Sequence, residues 1–266
     1  ELDVLTPTDA RALLQRRAPG LADELADAVA AGLGRHAQAV ALAGAALFLR
    51  KAHRYAQTAK ELLERVNRGA GFGDLPALDE ADAETNVEIA LKYTYDYLGE
   101  DQNHGSARQA CFRSLGAFAQ EASFDAAATA SLWQTPPAMA EELLLFFDTL
   151  ALIQEEKNGG RWQQHAILRA YALSLQDENE RLALPQRHAD HYLALAQASI
   201  PSATDRVELE FKQIEHAFTW CQDHSPSRAT RLANIVSQVM FIRGRALQAG
   251  EWLRISIDAA NQTGDR

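Results

Sequence analysis

The chain has 266 residues, 47% of them hydrophobic, and a formal net charge of −10 at pH 7. That length supports a buried core and about two domains, and no stretch reaches the roughly 18 unbroken apolar residues of a membrane-spanning helix. Residues 71–106 hold 9 acidic side chains against Lys92 alone, while the flanking segments are near balance. No basic stripe of the kind that neutralises nucleic-acid phosphates is present.

The start, "ELDVLTPTDARALL", lacks the basic-then-apolar order of a secretory signal, so a cytoplasmic location is the expectation. Thr6 reads as an N-cap with Pro7 at the first helical position, and Ala10, Leu13 and Leu14 follow at helical spacing. A second helix, "LADELADAVAAGLG", is expected to stop at Gly34. The third, "AQAVALAGAALFLRK", is apolar nearly all round, as a helix buried in a small bundle would be. A fourth, "YAQTAKELLERV", precedes the Gly-, Pro- and acid-rich stretch "NRGAGFGDLPALDEADAE", which marks a domain boundary.

Beyond it, "NVEIALKYTYDYL", "ARQACFRSLGAFA" and "SFDAAATASLW" read as three helices. "PPAMAEELLLFFDTLALIQEE" reads as a fourth that starts after a proline pair and runs into a strand. Asn158-Gly159 supplies the left-handed residues of a tight two-residue turn, pairing "LIQEE" with "RWQQH" as a β-hairpin. Three helices followed by a hairpin is the order of a winged helix. "AILRAYALSL" is helical, and in "ERLALPQRHADHYLALAQA" Pro185 is expected to begin or kink a long helix. Three further helices, "VELEFKQIEHAFTWCQDH", "SRATRLANIVSQVMFIRG" and "ALQAGEWLRISIDAANQTGDR", are of paired-helix repeat type, fewer than the roughly three repeats of a stable array. The expected fold is therefore mainly α: a helical bundle over 1–70, a winged-helix domain with one β-hairpin over 71–176, and a linker helix with tetratricopeptide-like helix pairs over 177–266.

Few residues carry visible chemistry. Cys111 and Cys221 lie far apart without CxxC spacing and read as reduced core residues. His188 and His191 share a helix face with no third ligand at metal spacing, and read as part of a solvated face. No GxxxxGK[ST], GxGxxG, GxSxG or HExxH motif occurs, so no catalytic residue, metal site or phosphate loop is expected in this chain. His165 is the exception in position. It stands where the hairpin ends and a helix begins, beside backbone N–H groups that have no helical partner.

Taken together, the segments resemble the region that follows the nucleotide-binding domain in signal-transducing ATPases of the NB-ARC, or AP-ATPase, type. "GLGRHAQAVALAGAAL" is similar to that family's bundle motif, with Gly34, Ala39 and Val40 at matching positions. "ASFDAAATASLW" and "LFFDTLALIQEE" are similar to its winged-helix core, "QHAILRAYA" to its Met-His-Asp region, and "EHAFTWCQDH" and "FIRGRALQAGEWLRISIDAA" to its repeat linker. The resemblance implies that His165 reaches the β-phosphate of ADP and locks a resting state. Arg169, four residues on and on the same helix face, offers either a second phosphate contact or a surface salt bridge. Gln164 and Ala166 stand in place of the flanking Met and Asp, and Ala37 in place of the proline that covers the base. It further implies a phosphate loop upstream of Glu1, in a nucleotide-binding domain of the same polypeptide that binds ADP or ATP, and a protein ligand on the helical repeats.

Two other readings stand beside it. One is a protein-docking helical scaffold with a purely structural wing. The other is a winged-helix DNA-binding regulator, which the third helix "SFDAAATASLW" disfavours because it contains no Lys, Arg, Asn or Gln.

Overall fold

The computed structural model describes residues 4–48, 54–67, 83–200 and 203–263. Among them lie fourteen α-helices and a small three-stranded sheet, so the chain is mainly helical with one hairpin. The acidic boundary stretch from 68 to 82 lies outside the described residues. By packing, the chain forms two compact units, Glu1–Cys111 with Leu145–Gln154, and Phe112–Leu144 with Glu155–Arg266.

The first unit is built on helices α1 (Pro7–Arg17), α2 (Asp23–Gly32), α3 (Ala37–Phe48), α4 (Tyr55–Asn67) and α5 (Ala83–Leu98). Thr6 caps α1, its hydroxyl accepting from the Asp9 N–H, because a Ser or Thr at this position satisfies an N–H that has no helical partner. α2 ends at Gly32, two residues before the expected stop, and Gly34 takes a φ of +61° just beyond it. α3 is the centre: every residue from Ala39 to Leu47 except Ala41 is buried, and it packs on α1, α4 and α5. A Cβ on Gly44 would sit 3.3 Å from Arg17 Cβ, so the missing side chain lets α1 and α3 approach closely. α5, expected to open the next domain, instead packs on α3 and α4, because its apolar face (Val87, Ile89, Ala90, Leu91) is needed to close this bundle.

The second unit begins in α6 (Gly105–Ser114) and a 3-10 turn (Leu115–Ala117). There follow in chain order β1 (Phe124–Asp125), α7 (Ala126–Trp133), α8 (Pro137–Thr149), β2 (Gln154–Glu155), β3 (Arg161–Gln163) and α9 (Ala166–Ser174), of which the end of α8 from Leu145 and the start of β2 at Gln154 belong to the first unit. The sheet order is β1-β3-β2, with β1 and β3 antiparallel and Phe124 opposite Trp162. Phe118 stacks on Phe124 at 4.1 Å, and both rings and Trp162 are buried. "SFDAAATASLW" is thus not one helix. Its Phe124 and Asp125 form β1, and Asp125 caps α7 through a bond from the Ala128 N–H at 2.8 Å. The helix that precedes the hairpin is α8.

The hairpin turn is also longer than expected. Positive φ falls on Gly159 (+73°) and Gly160 (+72°), not on Asn158. The Glu156 N–H bonds the Arg161 carbonyl at 2.8 Å, closing a four-residue loop. Two successive glycines adopt the left-handed region without steric cost, so the turn uses them rather than the asparagine.

Four more helices and a short one complete the unit: α10 (Glu178–Ser199), α11 (Thr204–Leu209), α12 (Phe211–His224), α13 (Pro226–Ile242) and α14 (Ala246–Thr263). α10 starts seven residues before Pro185, at a capping box in which Asp177 and Glu180 satisfy each other's backbone N–H. Pro185 therefore lies inside the helix; of the two expectations, that it begins or kinks the helix, the first is overturned. The segment read as one helix from 207 to 224 is two, broken at Glu210, whose φ and ψ are −93° and 9°. Trp252 stacks on Phe218 at 3.9 Å and, with the long α13–α14 pairing, closes the C-terminal helices.

Ala151 takes an unusual backbone conformation. It follows α8 with a φ of +57°, and the Leu152 N–H bonds the Phe147 carbonyl at 3.0 Å as in a glycine-type helix terminator. A side chain in this conformation is strained. Ala151→Gly should raise stability by about 0.5–1 kcal/mol, read as a higher urea midpoint at unchanged slope.

Candidate functional site

Alternation along β3 decides where His165 points. Trp162 and Gln164 are buried, while Gln163 and His165 are exposed, as expected for side chains on opposite faces of a strand. His165 then becomes the N-cap of α9, with φ −63° and ψ 146°, and its Nδ1 accepts from the Ile167 N–H at 3.4 Å. The histidine is therefore both a helix cap and an exposed imidazole beside the α9 N-terminus.

Arg169 sits one turn on and is half-buried, its Nε donating to the Phe118 carbonyl at 2.7 Å. Burial lowers its pKa from the usual arginine value. A salt bridge on the surface is thus not its role. Among the described residues, no hydrogen bond or ion pair joins Arg169 to His165 or to any carboxylate.

Close to this junction lies a polar network that sequence reading missed. Arg161 places Nη1 and Nη2 at 2.6 and 3.0 Å from the two carboxylate oxygens of Glu210, whose side chain is 1% exposed. Arg161 Nε donates to Ser123 Oγ at 3.0 Å and Nη2 to the Ser123 carbonyl at 3.1 Å. Arg206 approaches from α11, 2.5 Å from Asp125 and 3.7 Å from Glu210. The break between α11 and α12 is what turns Glu210 inward. A signal for it existed: Glu210 falls in the apolar stripe of Val207, Phe211, Ile214 and Phe218, and a carboxylate in such a stripe calls for a buried cation.

Beside this network is a cavity of about 320 Å³ lined by Glu121, Glu156, Gln163, Glu208, Lys212 and Arg245, among others. Arg245 lies 4.0 Å over the Phe211 ring and 2.5 Å from Glu208, so its charge is already held from two sides.

The histidines of α10 are not on a solvated face. His188 is 1% exposed and bonds Gln213 Oε1 at 2.9 Å, and burial pulls its pKa down to about 3. His191 is largely covered, its Nδ1 2.8 Å from Ser131 Oγ. Among the described residues no group of three or more His, Cys, Asp or Glu is placed to hold a metal ion. Cys111 and Cys221 form no disulfide. Cys221 is buried, which pushes its thiol up to about 11, while Cys111 is only partly covered rather than a core residue.

No family model matches the chain, and no curated protein matches it.

Glu210 gives this arrangement its test. Removing one partner of a buried ion pair strands the other charge, at a cost of about 3–5 kcal/mol, whereas replacing both with apolar groups of similar size is often near neutral. Glu210→Leu should therefore lower stability by that order, and the pair Arg161→Met with Glu210→Leu should recover most of it. A double-mutant cycle by chemical denaturation that finds the two losses additive would contradict the pairing.

Proposed function

We propose that this chain is a non-catalytic regulatory arm of an NB-ARC-type, STAND signal-transducing ATPase switch. It closes over a nucleotide-binding domain in the same polypeptide and couples ADP or ATP state to a C-terminal helical-repeat sensor. The carrying observation is the order α6, β1, α7, α8, β2, β3 with sheet order β1-β3-β2, followed directly by an exposed histidine that caps α9. That order is the one a winged helix has. The wing delivers His165 to a helix start, where free N–H groups and the helix dipole favour an anion such as a phosphate. Arg169, without a carboxylate partner among the described residues, has the charge to reinforce that contact.

The cap bond itself favours a switchable role. At 3.4 Å it is longer than an ordinary N–H···N or N–H···O bond, so turning the ring toward a ligand costs little. The α13–α14 pair supports the sensor half of the reading. It packs as a helical hairpin, and Phe241, Ile242 and Leu247 at its turn are 52%, 71% and 93% exposed. Exposed apolar side chains at such a turn favour a protein ligand, which is also what a docking scaffold would present.

DNA binding is disfavoured on the helix that would do it. α8, "PAMAEELLLFFDT", precedes the hairpin and carries Glu141, Glu142 and Asp148 with no Lys or Arg, so it would repel a phosphate backbone rather than neutralise it. Among the described residues, no helix is long and apolar enough to cross a membrane. A cytoplasmic site of action fits this reading.

The test separates the cap from the phosphate contact. His165→Ser retains a capping side chain but has no ring N–H. In the polypeptide that includes the nucleotide-binding domain, release of a fluorescent ADP should quicken roughly 10- to 150-fold in that variant, the worth of one charge-assisted hydrogen bond of about 1.5–3 kcal/mol. An unchanged release rate, or a gene without a phosphate loop upstream of the Glu1 codon, overturns the proposal.

A further inference from the structure

His188 lies in the middle of α10 with no water contact, and its ring centre is 5.7 Å from Phe118, 4.7 Å from Tyr192 and 5.4 Å from His216. Its hydrogen bond runs to Gln213 of α12, which is 1% exposed. Gln213 Oε1 also accepts from the Ala119 N–H at 2.9 Å, and its Nε2 donates to the Ser123 carbonyl at 3.2 Å. An amide oxygen only accepts, so His188 Nε2 carries the proton and the ring is neutral with Nδ1 bare. One His–Gln pair therefore ties α10 to α12 and to the chain that enters β1.

The surroundings leave a charged ring no counterion. The titratable and charged groups that face it are His216 from α12, His191 and Tyr192 from its own helix and Arg169 from α9, with the apolar Phe118 just beyond the 3-10 turn. The two histidines and the arginine are cationic or become so in acid, and the buried Tyr192 phenol stays neutral. A proton on Nδ1 would place an unpaired charge in an apolar setting beside other positive groups, which a folded interior does not tolerate.

We infer that the His188–Gln213 clasp is an acid-release device: protonation of this buried histidine cluster parts α12 from α10 and from the approach to β1, opening the helical segment reversibly. Burial lowers the pKa of His188 to about 3, against about 6.5 when the chain is open. The open form thus binds more protons than the closed form between these values. The clasp's stabilisation is complete above about pH 6.5 and is lost progressively as pH falls toward 3. Burial lowers His191 and His216 as well, so they act in the same direction. Ordinary carboxylates titrate near pH 4, which leaves the window from about 6.5 to 4.5 to the histidines.

Hydrogen exchange of the full chain, corrected for intrinsic rates, tests this between pH 7 and 4.5. In the wild type, the opening constant for α12 amides should rise at least tenfold per pH unit as the window is crossed, one linked proton from His188 and further uptake from His191 and His216. His188→Gln keeps an amide donor for Gln213 and cannot take up a proton, so its slope should fall by about one proton. An equal slope in the variant overturns the inference. Should that variant fail to fold at pH 7, the ring resonances of His188 in the wild type decide instead. Proton uptake that coincides with loss of α12 protection supports the device, whereas a ring that protonates while α12 stays protected overturns it.

Discussion

The geometry of the second unit depends on one buried ion pair. Arg161 and Glu210 are separated by 49 residues, and their side chains are 13% and 1% exposed. Such a pair is tolerated only when every remaining donor and acceptor is met. Ser123 meets them here, its hydroxyl and carbonyl both accepting from the Arg161 guanidinium. The hairpin is consequently fixed by hydrogen-bond directions as well as by the burial of Trp162. Apolar packing alone tolerates small slips, whereas a forked guanidinium on a carboxylate does not. That fixes the face of β3 that turns outward, and with it the direction of His165.

Ser123 also joins this pair to the histidine clasp. Its carbonyl accepts from Arg161 Nη2 and from Gln213 Nε2, so the two polar systems share an atom. Glu210 and Gln213 lie one turn apart at the start of α12; Glu210 reaches back to Arg161 of β3 and Gln213 to Ser123 just before β1. The corner between α11 and α12 is thus held by polar bonds on one side and by Phe211, Phe218 and Trp252 on the other. In a unit built this way, a change in one buried charge is transmitted through specific bonds, because a desolvated polar group without its partner is costly.

What was legible in the sequence was whatever local periodicity and capping chemistry determine. The Thr6-Pro7 start, the apolar third helix and the existence of the hairpin follow from side chains within a few residues of one another. What escaped depends on partners far along the chain. "SFDAAATASLW" has helical composition throughout, and only the pairing of Phe124 with Trp162 makes its start a strand. His188 and His191 look solvated because their helix is polar by composition, and it is the packing of α10 on α12, α13 and α7 that covers them. Proline inside α10 is a related case: the capping box at Asp177 fixes the helix start, and tertiary packing carries it past Pro185 despite the lost backbone bond.

The two histidines that matter differ in burial and in hydrogen bonding, and this divides their possible roles. His188 is locked neutral, with its one hydrogen donated to a glutamine that is itself fully engaged. Buried as it is, the ring is out of a ligand's reach, and it holds α10 to α12. His165 has the opposite setting. Its ring is exposed, its single internal bond is long, and it sits at a helix end that favours negative charge. An exposed ring N–H beside those free backbone N–H groups could join them in bonding an anion. The same residue type therefore acts as a strut in one place and, on the proposed reading, as a sensor in the other. Strand alternation sets His165 outward, and helix packing sets His188 inward.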